Sequence, residues 1–525
     1  MKIGHHTGGP PTPEGGVTLH APNASKICNV LDYGAKASAD NTTDISPYLT
    51  RTWKECIRSK GTGAILYIPE GTYALKTSYV HKHGGQFHWQ VDGQIVAHVA
   101  GSSFGGNMIV FQDVSDFSIY SGNGKGAING QGWVKRSAAG VQGGSRMLRF
   151  IDCNNFSLHD MLIIDSPSFH VVIDHGTNVE VANLTIRGVW TGGSDGIDIS
   201  AKNFHVHDVE VSNRDECVSI KTGCANGTVE RIRCNSSGAI SVGSLKNGAE
   251  VENILIQDVD VYESGAFVIK TQPTVAGTRA GYVKNLLVRR FRNWRSQYTV
   301  HIDQHWQLSI PDEGAGVQLS NITFSNFRGS NDNGYARGYV VVDGSRYAVA
   351  HDIVFDDFFM YAENSYKGIG EKNVCKNVYG SGECVPAANG TTYPSGVAST
   401  IVMSAAPAGW TLPAAPTWGH DGYGMYTPIP VYSPVPTYPL DFADYGLVAQ
   451  PPTNAAVLAT PTISSIVHSS VTSTAASSSN TSAAAAAFTS NVESLAGSSS
   501  AESLSTVTSP ASASTRGTVT RRSRL

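Results

Sequence analysis

A short central stretch gathers the side chains best suited to acid–base chemistry. Asp195 and Asp198 stand in Ser194-Asp195-Gly196-Ile197-Asp198, and twenty residues after Asp195 come the consecutive acids of Asn213-Arg214-Asp215-Glu216-Cys217. Lys221 follows, and Lys270 closes Val268-Ile269-Lys270. Carboxyl groups held close together cannot all ionise freely, so their pKa values are pushed apart. One protonated and one ionised carboxyl is the pair that glycoside hydrolysis requires. Asp in a turn can also do no more than cap backbone amides, a role that suits Asp198 and Asp208. Two consecutive acids beside a paired cysteine fit that role poorly. His205 and His207 have the i, i+2 spacing of metal ligands, but no Cys/His/Asp cluster accompanies them in the sequence. A structural role is expected for them, with no metal site.

Residues this far apart must be brought together by a repeat. Short β-rich runs recur at intervals of roughly 20–35 residues, the range of solenoids. Each pass reads as a strand, a turn bearing Asn or a similar residue, and a second alternating strand, as in His170-Val171-Val172-Ile173 followed by Asn178-Val179-Glu180-Val181. Alternation turns one face of every strand inward. Stacked passes would align residues of one phase about 4.8 Å apart, so distant acids can share a wall. With Ile197, Val218 and Ile269 as equivalent apolar positions, Asp195, Asp215 and Glu216 cluster on one groove wall with Lys221 and Lys270 near. One helix is expected, Asp44 to Lys60, with Ser46 as N-cap, Pro47 at the first helical position and Gly61 as its stop. It would cap the open end of the stack. The fold expected is all-β, a right-handed parallel β-helix. A β-sandwich fits less well, because the passes are unequal and the Asn turns recur.

Composition narrows the class. The chain has 525 residues, 55 of them Gly, a formal charge of −4 and only 15% charged residues. No basic surplus marks a nucleic-acid partner, and no apolar run reaches the roughly 18 residues of a membrane span. Four segments are expected: a flexible leader over 1–26, the β-helix over 27–395, a Pro/Tyr-rich extended stretch over 396–450, and a disordered tail over 451–525. In the tail Ser, Thr and Ala supply 46 of 75 residues, too little apolar surface to offset ordering entropy. Cys28 with Cys56, Cys217 with Cys234 and Cys375 with Cys384 have the spacing of local disulfides. Cys153 reads as a free buried thiol, and Cys224 as a competitor within the 217–234 loop. Nine Asn-x-Ser/Thr sequons, at Asn23, Asn41, Asn155, Asn183, Asn226, Asn235, Asn321, Asn389 and Asn480, join the cysteine pairs in pointing to a secreted chain. The first residues hold no apolar leader core, so a secreted precursor with its leader missing is expected.

These residues bear a family resemblance. From about Cys28 to Pro439 the chain resembles glycoside hydrolase family 28, the polygalacturonase family, and within it the fungal rhamnogalacturonases. The family's Asn-Thr-Asp block looks like Gly193-Ser194-Asp195, its Asp-Asp-Cys block like Asp215-Glu216-Cys217, and its Arg-Ile-Lys block like Val268-Ile269-Lys270. The polygalacturonase Gly-His-Gly is replaced by Ser237-Gly238-Ala239, and its Arg by Val268, departures that the rhamnogalacturonase branch shares. The resemblance implies a secreted, monomeric, cofactor-free hydrolase of the rhamnogalacturonan I backbone of pectin, cutting α-D-galacturonosyl-(1→2)-L-rhamnose linkages with inversion. It implies Asp215 as general acid and Asp195 and Glu216 as holders of the attacking water. Lys270 and Lys221 would bind a galacturonate carboxylate, and Asp198 and Asp303 would line the substrate. Inversion implies carboxyl groups about 6.5–9.5 Å apart. Val268 would face a rhamnose methyl where a bidentate Arg would otherwise seek a carboxylate. The alternatives are an exo-acting, polygalacturonan or xylogalacturonan hydrolase of the same family, a Ca²⁺-dependent pectic lyase, and a non-catalytic glycan-binding β-helix.

Overall fold

The computed structural model describes residues 17–37, 43–98, 104–139, 144–306, 311–314, 316–332, 338–363, 372–389 and 396–415. The expected tail over 451–525, the stretch 416–450 and the sequons Asn41 and Asn480 lie outside the described residues. Within them the body is a parallel β-helix. Strands Val171–Arg187, Ile197–Ser212 and Ala225–Asn235 pair in parallel, one coil on the next. The short strands Val218–Ile220, Ile240–Leu245, Gly265–Thr271 and Tyr298–Asp303 stack the same way beside them.

The inward-facing residues form one continuous core, in which Phe87, Phe117 and Phe156 stack in successive coils with nearly parallel rings. The Asn turns form a ladder. Asn178, Asn203, Asn226, Asn253, Asn285 and Asn321 all take left-handed backbone angles, with φ of 50–58°, which Asn tolerates better than most residues. Each amide from Asn203 onward donates to the Asn carbonyl oxygen one coil before. The expected coil turn is thus a structural device, and Asn226 and Asn321 serve in it as well as in sequons. Asn235, another sequon, is fully buried.

The helical segment runs through Ser46–Thr52, a π-helical turn over Trp53–Ile57 and Arg58–Lys60, and ends at Gly61. Ser46 is not its N-cap. It is the first helical residue, Pro47 follows it, and Asp44 takes the Ser46 N–H at 3.2 Å while the Ser46 hydroxyl donates to Ser78. Aspartate two residues ahead is a stronger acceptor for that orphan amide than a serine hydroxyl.

All three expected disulfides are present, and Cys153 and Cys224 are free and buried. Cys224 does not compete for Cys217; its sulfur lies against Ile199 O at 3.2 Å. Residues 17–26, expected as flexible leader, are tied to the body through Thr18–Asn155, His20–His88 and Asn23–Gly63 hydrogen bonds. Beyond the expected end of the stack at 395, strand Val397–Ile401 pairs antiparallel with Lys372–Lys376, and Trp294 donates to Pro413 O at 2.8 Å.

Candidate active site

The acids sit in the turns that lead into stacked strands. Ile197 pairs with Val218, Val218 with Ile240 and Ile240 with Phe267. Asp195 and Glu216, each two residues ahead of its strand position, therefore occupy the same phase in adjacent coils. The expected equivalence of Ile269 with Ile197 and Val218 is corrected: Phe267 holds that position, and Ile269 matches Val242 one pleat further on. A slip of two residues leaves every side chain on its own face, so Lys270 still points to the groove. Its long side chain reaches back to form an ion pair with Glu216.

One oxygen from each of Asp195, Asp215 and Glu216 lies within 4.8 Å of the others. These are the nearest oxygens of the three carboxyl groups. Their turns lie on neighbouring coils, whose spacing of about 4.8 Å dictates the approach.

Asp195 is 3% exposed. Burial, then repulsion from Asp198 and Asp215, holds its carboxyl well above the ordinary range. Lys221 approaches Asp198 at 3.2 Å and Asp195 at 3.9 Å, and donates to Gly243 O at 3.0 Å. Burial disfavours its charge, but the Asp198 and Asp195 carboxylates outweigh that and hold Lys221 above its usual value. Burial instead draws Lys270 below its usual value, against the pull of the aspartates. Asp215 is the half-buried member of the trio, and one of its oxygens accepts the backbone N–H of Gly193. Gly193 has φ +75° with open space about its Cα, and so presents that amide at little cost.

Several residues that hold the site are not evident from charge alone. Asn213, fully buried, donates to Ser194 O at 2.6 Å and to Glu216 O at 3.2 Å, tying the two acidic turns together. Ser237 Oγ and Gly238 N both donate to Asp215 O, at 2.8 and 2.7 Å. A Cβ on Gly238 would fall 2.8 Å from the Asp215 carbonyl carbon, so this position excludes larger residues. Trp190, 49% exposed, carries the Arg214 guanidinium 4.5 Å over its ring beside the acids. The Lys270 ammonium lies 5.0 Å over the Trp306 ring. The sequence signal for both was an aromatic in an irregular loop next to the acidic motifs.

Val268 is buried yet outside the core cluster, between Ser241 and His301 on adjacent coils. Asp303 pairs in register with Lys270, but it belongs to a second group. Its Oδ1 accepts the His305 N–H at 2.7 Å, and it clusters with His305 and Asp343. The His205–His207 pair, expected to lack partners, has Glu230 and Glu180 at 3.1 and 3.3 Å. Those glutamates come from the adjoining coils, which sequence proximity does not reveal.

Comparison with known proteins bears on the family and the fold. The model for "Glycosyl hydrolases family 28" matches residues 59–384. The chain is 36% identical over 425 residues to rhamnogalacturonase A of Emericella nidulans, covering 81% of this chain and 79% of that protein. It is 37% identical over 441 residues to rhamnogalacturonase A of Aspergillus niger, covering 84% and 93%. Among solved structures it is similar in fold to an endo-xylogalacturonan hydrolase from Aspergillus tubingensis, with TM-score 0.58, 23% identity and coverage of 70% of this chain and 99% of that one. It is also similar to a polygalacturonase from Erwinia carotovora ssp. carotovora, with TM-score 0.51, 18% identity and coverage of 65% and 95%.

Proposed function

The chain belongs to glycosyl hydrolases family 28 and is a glycosidase, and from that premise we propose that it is a secreted, monomeric enzyme that hydrolyses rhamnogalacturonan I. It would cut α-D-galacturonosyl-(1→2)-L-rhamnose linkages with inversion. The observation that carries this reading is the convergence of Asp195, Asp215 and Glu216 beside two lysines and an apolar Val268.

The general acid must reach the leaving oxygen, and exposure favours Asp215. Its Gly193 hydrogen bond orients one oxygen and leaves the other for the groove. Glu216, ion-paired with Lys270, is the carboxylate that draws the proton from water, and Asp195 orients that water. Lys270 and Lys221 are both engaged by protein carboxylates. An ammonium has three donors, so Lys270 can hold Glu216 and a galacturonate carboxylate together. Asp198, paired with Lys221, lines the same wall, and Asp303 follows Lys270 one coil on. Trp190 offers an exposed ring to a sugar face, with Arg214 beside it for a second carboxylate. Val268 places apolar surface where the neutral rhamnose would sit.

Inversion rests on the family resemblance. The test is product analysis on purified rhamnogalacturonan I and polygalacturonan side by side, with NMR of the first-formed anomer. Oligomers ending in inverted galacturonate, from rhamnogalacturonan alone, are expected. Exclusive cleavage of polygalacturonan would reject the substrate assignment. An unsaturated, ultraviolet-absorbing product lost on chelation would reject hydrolysis in favour of a lyase.

A second reading concerns the acid alone. Burial raises the Asp195 carboxyl well above the ordinary range, which favours Asp195 as the donor. An aryl glycoside whose leaving group needs no protonation separates the two. The variant whose rate it rescues, Asp195→Asn or Asp215→Asn, has lost the general acid.

A further inference from the structure

Away from the acidic groove, the long strands of the same coils carry a second group of ligating side chains. His205 and His207 share one face of strand Ile197–Ser212, since side chains two apart point the same way. Glu180 pairs in register with His205 from the coil before, and Glu230 pairs with His207 from the coil after. The contacts run diagonally across this square: His207 Nε2 to Glu180 Oε1 at 3.3 Å, and His205 Nε2 to Glu230 Oε1 at 3.1 Å. Ligand atoms of Glu180, His205 and His207 all lie within 4.8 Å of one another, and the two rings are 4.0 Å apart. The side chains are 32% exposed at His205 and 10% at His207, so the group opens to solvent without being loose.

The surroundings prepare these groups as ligands. Asp208 Oδ2 accepts from His207 Nδ1 at 2.7 Å, which turns Nε2 toward the glutamates. A carboxylate behind a ligating imidazole is the usual outer support of a metal-bound histidine. Asp208 is itself fixed by both arms of Arg231, at 2.8 and 2.9 Å. Gln257 donates to the far oxygen of Glu230 at 2.6 Å, and Oε1, which faces His205, also takes a hydrogen bond from Arg231 Nη1.

We propose that Glu180, His205, His207 and Glu230 form a binding site for a divalent transition metal, Zn²⁺ by preference, that clamps three consecutive coils. Two imidazoles with carboxylates suit zinc better than calcium or magnesium, which take oxygen ligands. The middle strand of the clamp runs from Asp198 at its start to Asn213 and Asp215 just past its end. Metal at this patch would therefore brace the coils that present the acids.

The test uses the full chain, stripped with chelator and then given Zn²⁺ or Co²⁺ alone. About one equivalent of zinc retained through gel filtration is expected, with a zinc-dependent rise in Tm and a visible Co²⁺ absorption band. His205→Asn and His207→Asn are each expected to lose the metal and the Tm rise. Asp208→Asn, which keeps every ligand, is expected to bind about 10–100-fold more weakly. His305→Ala and Asp215→Asn, which alter the other two acidic groups, are expected to bind as the parent does. Absence of retained zinc and of a Tm shift in the parent overturns the proposal. So does binding that survives both histidine substitutions or that disappears with His305→Ala. If a histidine variant fails to fold, the parent's stoichiometry and the Asp208→Asn affinity still decide.

Discussion

Two sets of aspartates on the same coils are treated in opposite ways. In the outer turns and strands three carboxylates each have their own guanidinium. Asp208 receives Arg231 at 2.8 and 2.9 Å, Asp258 receives Arg290 at 2.6 and 2.6 Å, and Asp260 receives Arg292 at 2.6 and 2.7 Å. In the groove one oxygen from each of Asp195, Asp215 and Glu216 lies within 4.8 Å of the others; Glu216 pairs with Lys270, Asp195 has Lys221 at 3.9 Å, and Asp215 takes the Gly193 N–H. Bidentate pairing satisfies both oxygens; at Asp208 the hydrogen bonds outweigh burial and hold the carboxyl low, whereas at Asp260 burial outweighs Arg292 and raises it. In the groove, burial and repulsion from Asp198 and Asp215 raise the Asp195 carboxyl. The same residue type is mortar in one place and reagent in the other.

The contrast breaks first in activity. Asp215→Asn is expected to lower kcat on rhamnogalacturonan by about 10³-fold or more, within the range for a lost general acid, with the circular dichroism spectrum unchanged. Activity within tenfold of the parent would remove Asp215 from the chemistry. Glu216→Gln also unpairs Lys270; a loss of about 10²-fold in kcat is expected, checked by reducing-end assay. Val268→Arg sets an unpaired guanidinium against a neutral sugar. About a tenfold loss in kcat/KM is expected from the scale of one buried polar mismatch, and unchanged constants would sink the role given to Val268.

Stability sharpens the same contrast. Burial raises the Asp195 carboxyl in the folded protein, whereas in the unfolded chain it titrates near the ordinary value of about 3.9. The folded state therefore binds this proton more tightly. The resulting stability is complete below the ordinary value and is lost as pH rises toward the raised one. Asp195→Asn removes this cost. Its Tm is expected to match the parent near pH 3 and to exceed it increasingly toward pH 7; a parallel offset at all pH values would contradict the direction given to Asp195. Asp208 is the reverse case. Burial opposes its charge, but hydrogen bonds from His207 and Arg231 prevail and hold its carboxyl well below the usual range. Its contribution is present above the ordinary value and fades as pH falls. The smallest effect belongs to the exposed ladder. Arg290→Ala is expected to cost about 1 kcal/mol or less, measured by urea unfolding, with kcat untouched.

Much of this contrast could be read from residue types and spacing. Alternation and recurring Asn turns identified the solenoid, and the acidic motifs identified the groove. The register of Lys270 was misread by two residues, because Val268-Ile269-Lys270 and Ala266-Phe267-Val268 are equally plausible alternations. Period-two patterns fix the face of a side chain but not its height along the strand. Asn213 sat unnoticed inside the acidic motif, since an amide's role depends on which carbonyls it meets.

The sequence by itself determined that the chain would stack into coils, that three cysteine pairs would close, and which carboxylates face one side. Local periodicity, turn preference and short loop closure are properties of neighbouring residues, and a linear pattern carries them. Tertiary structure alone decided how near the acids approach, which lysine neutralises which carboxylate, and that Glu180 and Glu230 meet His205 and His207. Each of those depends on the register between coils, where residues more than twenty positions apart become neighbours at about 4.8 Å and burial turns mere proximity into a shifted charge.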